Sequence, residues 1–154
     1  MTRRLTGLQK KVRTFIDTNL VTYLQTIISE EELEDVPVVY YVRDGYTDPM
    51  NLEGAYPGIM TYLESRKPTG DATKGLSLNV IIAVKASDPA LLEKIMEAYA
   101  DAFKEMHEDE DTKNFRFDAE IVDSVIREEL FFSPLTGGDI AVINFNLLLE
   151  INDL

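Results

Sequence analysis

Apolar residues recur at intervals of three and four along the first part of the chain: Leu8, Val12, Phe15, Ile16, Leu20, Tyr23, Leu24, Ile27 and Ile28. That period aligns them on one side of a helix and predicts an amphipathic helix over 7–29. The acidic run Glu30–Glu32, Glu34 and Asp35 follows; carboxylates at a helix C-terminus oppose its dipole and mark the stop there. Beyond Pro37 the pattern changes. Val38–Val42 (VVYYV) is β-branched and aromatic and reads as a strand. Segment 43–58 holds Gly45, Gly54, Gly58, Pro49 and Pro57. It reads as a long loop, and loops of that length in a compact domain are often interaction elements. Ile59–Lys67 is a second strand and the polar PTGDATKG (68–75) a hairpin tip.

The clearest strand is 76–86, LSLNVIIAVKA. Leu76, Leu78, Val80, Ile82 and Val84 share one face, and Ile81 and Ala83 keep the other partly apolar. This pattern predicts a central strand covered on both sides. Asp88-Pro89 then opens a second helix, with Asp as N-cap and Pro at the first helical position. Its apolar residues Leu91, Leu92, Ile95, Met96, Tyr99, Ala102, Phe103 and Met106 keep helical spacing, and it stops within HEDEDT, 107–112. Phe115, Phe117, Ala119 and Ile121 alternate with polar residues as in a half-buried strand. The alternation slips near Val122–Ser124, which points to a bulge in a strand running to Phe132. SPLTGG (133–138) is a turn. The last strand, Ile140–Ile151, places Ala141, Ile143, Phe145, Leu147, Leu149 and Ile151 on one face and Asn144, Asn146 and Glu150 on the other.

The order is α-β-β-β-α-β-β. Every connection except the second helix suits an antiparallel hairpin. The expected fold is α+β, a mainly antiparallel β-sheet with two helices packed on one face. With 154 residues and neither an internal repeat nor a linker, the chain is expected to form one domain over 1–154.

Composition narrows the chemistry by subtraction. There is no Cys, which excludes disulfides, thiolate catalysis and Cys-ligated metal, and a single His excludes a multi-histidine site. The net charge is -13, unevenly spread: Arg3, Arg4, Lys10, Lys11 and Arg13 give 1–13 a charge of +5, so the rest carries -18. So acidic a body repels phosphate backbones and argues against general nucleic-acid binding. The basic start reads as the solvated end of a helix, with contact to an acidic partner as the alternative. The opening stretch has no apolar core of a secretory leader, and the longest apolar run, Val80–Val84, is far short of a membrane span. The protein is expected to be soluble and made in the cytoplasm.

No catalytic constellation stands out. His107 precedes Glu108, Asp109, Glu110 and Asp111, but a charged cluster at a helix end is ordinary, and the run lacks the Gly and spaced oxygens of a calcium loop. Phosphate-cradling Gly motifs and the nucleophile elbow are absent. Asp48 followed by Glu64-Ser65-Arg66 is the nearest approach to a metal-dependent nuclease core, with Arg where Lys is wanted. The expectation is therefore no catalytic, cofactor-binding or metal-binding residues. The tyrosines are more informative. Tyr40, Tyr41, Tyr46, Tyr56 and Tyr62 are five of the seven in the chain. Tyr is enriched at protein–protein interfaces, and Tyr40, Tyr41, Tyr46 and Tyr56 are the candidates for a self-assembly surface. The structural alternative makes Tyr40 and Tyr62 core or sheet-face residues.

Taken in order, the long amphipathic helix, the aromatic strand VVYYVRDGYTD, the Tyr56-Pro57 pair leading into YPGIMTYLES, the apolar strand LSLNVIIAVKA, the helix opened by SDPALLEKI and the closing DIAVINFNLLLEI together resemble the tail terminator, or tail completion, proteins of long-tailed bacteriophages. The resemblance covers nearly the whole chain and is one of layout rather than of a diagnostic motif; the 43–58 loop and the acidic 107–111 run have no counterpart assigned in it. It implies a structural, non-enzymatic virion protein without cofactor, made in the host cytoplasm. Its homo-oligomeric ring, a hexamer, caps the tail tube, ends tube growth and supplies the head-tail joining surface between the tail tube protein and the head-connector or neck protein. DNA would pass through such a ring without specific binding, and a lumen of carboxylates would keep it mobile. Glu108, Asp109, Glu110 and Asp111 are the candidates for lumen-facing acids. Two alternatives are another neck or head-completion protein, and a small oligomeric ligand-binding regulatory domain.

Overall fold

The computed structural model describes residues 5–68, 73–109, 121–132 and 139–152. The notebook of elements read from periodicity maps onto α1 (Leu5–Glu31), β1 (Tyr41–Asp44), β2 (Gly58–Pro68), β3 (Thr73–Lys85), α2 (Pro89–Glu108), β4 (Ile121–Phe132) and β5 (Ile140–Asn152). The fold is α+β, and the sheet runs β1-β2-β3-β5-β4. The expected strand over 115–120, the tip of the 68–75 hairpin and the 133–138 turn lie outside the described residues, as do Glu110 and Asp111.

The helix stripe drives the main packing. Val12, Ile16, Leu20, Leu24 and Ile27 of α1 are buried, each contributing about 2 kcal/mol through removal of apolar surface from water. They meet Leu92, Ile95, Tyr99 and Phe103 of α2 over the β3 face of Leu76, Leu78, Val80, Ile82 and Val84 and the β5 face of Ala141, Ile143, Phe145, Leu147 and Leu149. Both helices thus cover one face of the sheet. The stop of α1 comes from geometry more than charge: Glu32 takes a left-handed φ of 56° and the Leu33 N–H donates to the Ile28 carbonyl at 2.9 Å. That six-residue closure with an apolar pair across it is a Schellman ending, here built without the usual Gly.

Two connections, not one, cross over. β1 pairs with β2 in parallel, with Tyr41 opposite Gly58, whereas β2–β3, β3–β5 and β4–β5 are antiparallel. The hairpin expected after the first strand is corrected by the 45–57 loop, which is long enough to return the chain to the start of a parallel neighbour. The first strand also shifts from 38–42 to 41–44, because its ladder begins where the Tyr41 N–H reaches the Pro57 carbonyl at 2.9 Å and ends where Gly45, at φ 79°, donates to Thr61 O at 2.8 Å. The bulge expected near 122–124 is present as a register break between Ile121 and Asp123.

The loop lies down on the second face of β3. Leu52, Met60, Ile81 and Ala83 form a small buried cluster there, with Tyr56 and Tyr62 packed against it, so the central strand is covered on both sides. At Gly58 a Cβ would stand 2.5 Å from Leu52 Cδ1 and 2.8 Å from Ala55 O, so only glycine lets the loop close this tightly.

α2 starts as its sequence predicts. Asp88 is the N-cap, its Oδ1 accepting the Ala90 N–H at 3.2 Å, and Pro89 occupies the first turn. Asp88→Ala is expected to cost about 1 kcal/mol, seen as a lower urea midpoint at unchanged slope.

Candidate functional site

The four candidate tyrosines divide into two pairs. The Tyr40 hydroxyl accepts the Val21 N–H at 3.1 Å and donates to Asp17 O at 3.0 Å, which ties β1 to the middle of α1. Its ring meets Tyr99 edge-on at 6.2 Å. Tyr56 donates to Pro49 O at 2.7 Å and accepts the Leu52 N–H at 3.3 Å, holding the 45–57 loop in shape, while Lys85 Nζ stands 5.6 Å above its ring. The hydroxyls of Tyr40 and Tyr56 are thus engaged within the fold. Tyr41 and Tyr46 are different, 49% and 61% exposed, and Val39 beside them is 65% exposed. Tyr46 is braced edge-on against Tyr62 at 5.7 Å, so one of the two exposed phenols is held rather than free to turn. The three exposed residues flank or occupy β1, an outer strand of the sheet.

The acidic run is heterogeneous where it is described. Glu108 is exposed and lines a groove of about 320 Å³ between the ends of α1 and α2, with Glu30, Glu31, Asp101, Lys104 and Glu105. Burial, then the neighbouring carboxylates Glu30, Asp101, Glu31 and Glu108, raise the Glu105 pKa. Lys104 is raised, first by its hydrogen bond to Glu128, and it contacts both Glu128 (2.9 Å) and Asp101 (3.6 Å). Asp109 caps α2: its N–H donates to Glu105 O at 2.9 Å and its Oδ2 accepts the Tyr23 hydroxyl at 2.7 Å. That carboxylate joins the two helices, so it contributes to the fold in a way Glu108 does not.

His107 corrects a reading. It is not part of a solvated cluster but 5% exposed, with Nε2 3.0 Å from Ser124 Oγ of β4. Its place in the α2 stripe, one residue after Met106, carried that signal; the acids after it concealed it. Among the described residues no group of three or more His, Asp or Glu converges as metal ligands. Asp48 accepts the Met50 N–H at 3.0 Å in a local turn, and Glu64 falls at a register break of β2 between Leu63 and Ser65.

A further polar feature was only half visible in the sequence. On the sheet face away from the helices, Asn79, Asn144, Asn146, Arg127 and Glu129 line a hollow of about 230 Å³. Asn146 donates to Ser77 Oγ at 2.8 Å and to Asn79 Oδ1 at 3.3 Å. Asn144 and Asn146 were legible from the β5 alternation; Asn79 and Arg127 join them only through strand register, Asn79 and Arg127 both standing opposite Asn146. The arrangement offers hydrogen-bond donors and acceptors without a nucleophile paired to a base. Compared with models of known protein families the chain matches none, and no curated protein matches it.

Proposed function

We propose that the chain is a structural virion protein that assembles into a hexameric ring at the end of a phage tail tube, where it ends tube growth and offers the surface that joins the head. The observation that supports this reading is the exposed strip of Val39, Tyr41 and Tyr46 along an outer strand of the sheet. Large apolar and phenolic side chains grouped at one edge of a body this acidic suit contact with another protein.

Charge polarity supports a head-to-tail contact. Lys10 and Lys11 are exposed near the start of α1, and Glu30 and Glu31 at its end join Asp101, Glu105 and Glu108. The helix separates these ends by about 40 Å, so they meet only between copies. Rings use such heterologous contacts, in which one patch meets a different patch on the neighbour. On this reading Glu108 and Asp109, with Glu110 and Asp111, face the lumen and repel passing phosphates. The partners are the tail tube protein and the head connector, DNA passes without specific binding, and the ring works without a cofactor.

Tyr41→Ser with Tyr46→Ser tests the surface. Both residues are exposed, so stability is expected to stay within about 0.5 kcal/mol of the parent, while rings on tail tubes are lost. A doubly substituted chain that caps tubes as well as the parent would count against the reading.

A further inference from the structure

β4 is the other outer strand of the sheet, and it is long. It pairs with β5 on one side, and no described strand lies on its other side. A long strand edge with unsatisfied backbone groups is a template for another strand unless something guards it. Charge is a common guard, and the centre of β4 is charged: Arg127, Glu128 and Glu129. A guard of one sign repels every copy of itself. This one does not, because its signs alternate.

Arg127 and Glu129 stand on the sheet face away from the helices, opposite Asn146 and Asn144. Both are exposed, and the side chain of neither has a hydrogen-bond or ion-pair partner among the described residues. Glu128 points the other way and is held by Lys104 at 2.9 Å. Val125, on the same face as Arg127, is 49% exposed.

We infer that two copies of this chain pair antiparallel through β4 about a two-fold axis at Glu128, joining their sheets into one of ten strands. Directly opposed residues of an antiparallel pair lie on the same face, so the axis must pass through a residue. An axis at Arg127 sets Arg127 against itself, and an axis at Glu129 sets Glu129 against itself. An axis at Glu128 sets Arg127 of each copy against Glu129 of the other, twice, and Val125 opposite Phe131. The Glu128 carboxylates then approach on the helix side, each already neutralised by its own Lys104. Opposite charges directly across strands stabilise a pair and like charges destabilise it, so this register is selected over its neighbours. The backbone ladder and the covering of Val125 supply the association; the charges set the register. The contact is independent of the ring reading, which uses the β1 edge, and is a state of the free protein.

Sedimentation velocity of the full chain over a concentration series tests it. The parent is expected to be a reversible dimer. Arg127→Glu places carboxylates at both positions and Glu129→Arg places guanidinium groups at both, so each variant alone should self-associate about tenfold more weakly or worse. Mixed in equal amounts, the two should form a heterodimer, since every opposed pair is again of opposite sign. The double variant R127E/E129R restores self-complementarity in one chain and should dimerise like the parent, which separates loss of pairing from loss of fold. A parent that is monomeric throughout, single variants that associate like the parent, or a mixture that stays monomeric overturns the inference.

Discussion

Phe103→Ala is expected to lower folding stability by about 3–5 kcal/mol, the range for truncating a fully buried aromatic residue. Phe103 of α2 has no exposed surface and stacks on Phe145 of β5, with ring centroids 4.3 Å apart and planes inclined by 18°. This ring pair joins the helix layer to the sheet, and its partner strand is flanked on both sides, so the surroundings have little freedom to close the cavity. Domains of this size are held by only about 5–15 kcal/mol, so the variant loses a large share of its margin. Urea unfolding reads the change. A loss below about 1 kcal/mol would mean that α2 does not seat on β5 as described. Val39→Ala, at an exposed position, is the matched control.

The second large effect is alkaline unfolding. Tyr99 is fully buried and donates to the Pro37 carbonyl at 2.7 Å. Burial raises its pKa, with a smaller push from Tyr40. The Tyr40 hydroxyl is pushed up to about 12, chiefly by burial and partly by Asp17, against the lowering effect of the Val21 N–H. Both groups are therefore held neutral in the fold at a pH where the unfolded chain already releases their protons. The stability tied to these shifts is fully present below the unfolded value near 10. As pH rises beyond it the unfolded state binds fewer protons than the native state, and stability falls until the native groups also ionise. Thermal midpoints are expected to be level up to about pH 9 and to drop steeply above it. Tyr99→Phe should flatten that alkaline limb while lowering the midpoint at neutral pH through loss of the Pro37 bond. Phenolate absorbance rising near pH 10 for all seven tyrosines of the folded protein would contradict the account.

The elements that were legible in the sequence are those whose burial follows one period over many residues. The α1 stripe from Val12 to Ile27 and the β5 alternation from Ala141 to Leu149 are each set by one continuous packing surface, so pattern and structure agree. β1 was misplaced because four residues carry no period of their own; its register depends on where the 45–57 loop delivers Gly58. The parallel pairing was hidden for the same reason, since it follows from the loop settling on Leu52, Met60 and Ile81. The tyrosine cluster shows a limit of composition: a phenol serves equally as a buried tie and as a contact residue. Only the carbonyls within reach of Tyr40 and Tyr56 separate them from Tyr41 and Tyr46. His107 was concealed by its acidic neighbours in sequence, whereas its environment is set by Ser124 across the sheet.

The central claim is that copies of this chain form a closed ring at one end of a tail tube. Electron cryomicroscopy of tails assembled with the chain present tests it most directly. The account predicts six copies in a ring capping the tube, with Tyr41 and Tyr46 between neighbouring copies. A single copy or a two-fold dimer at the tube end, or tails of uncontrolled length with the chain absent from their ends, would contradict it.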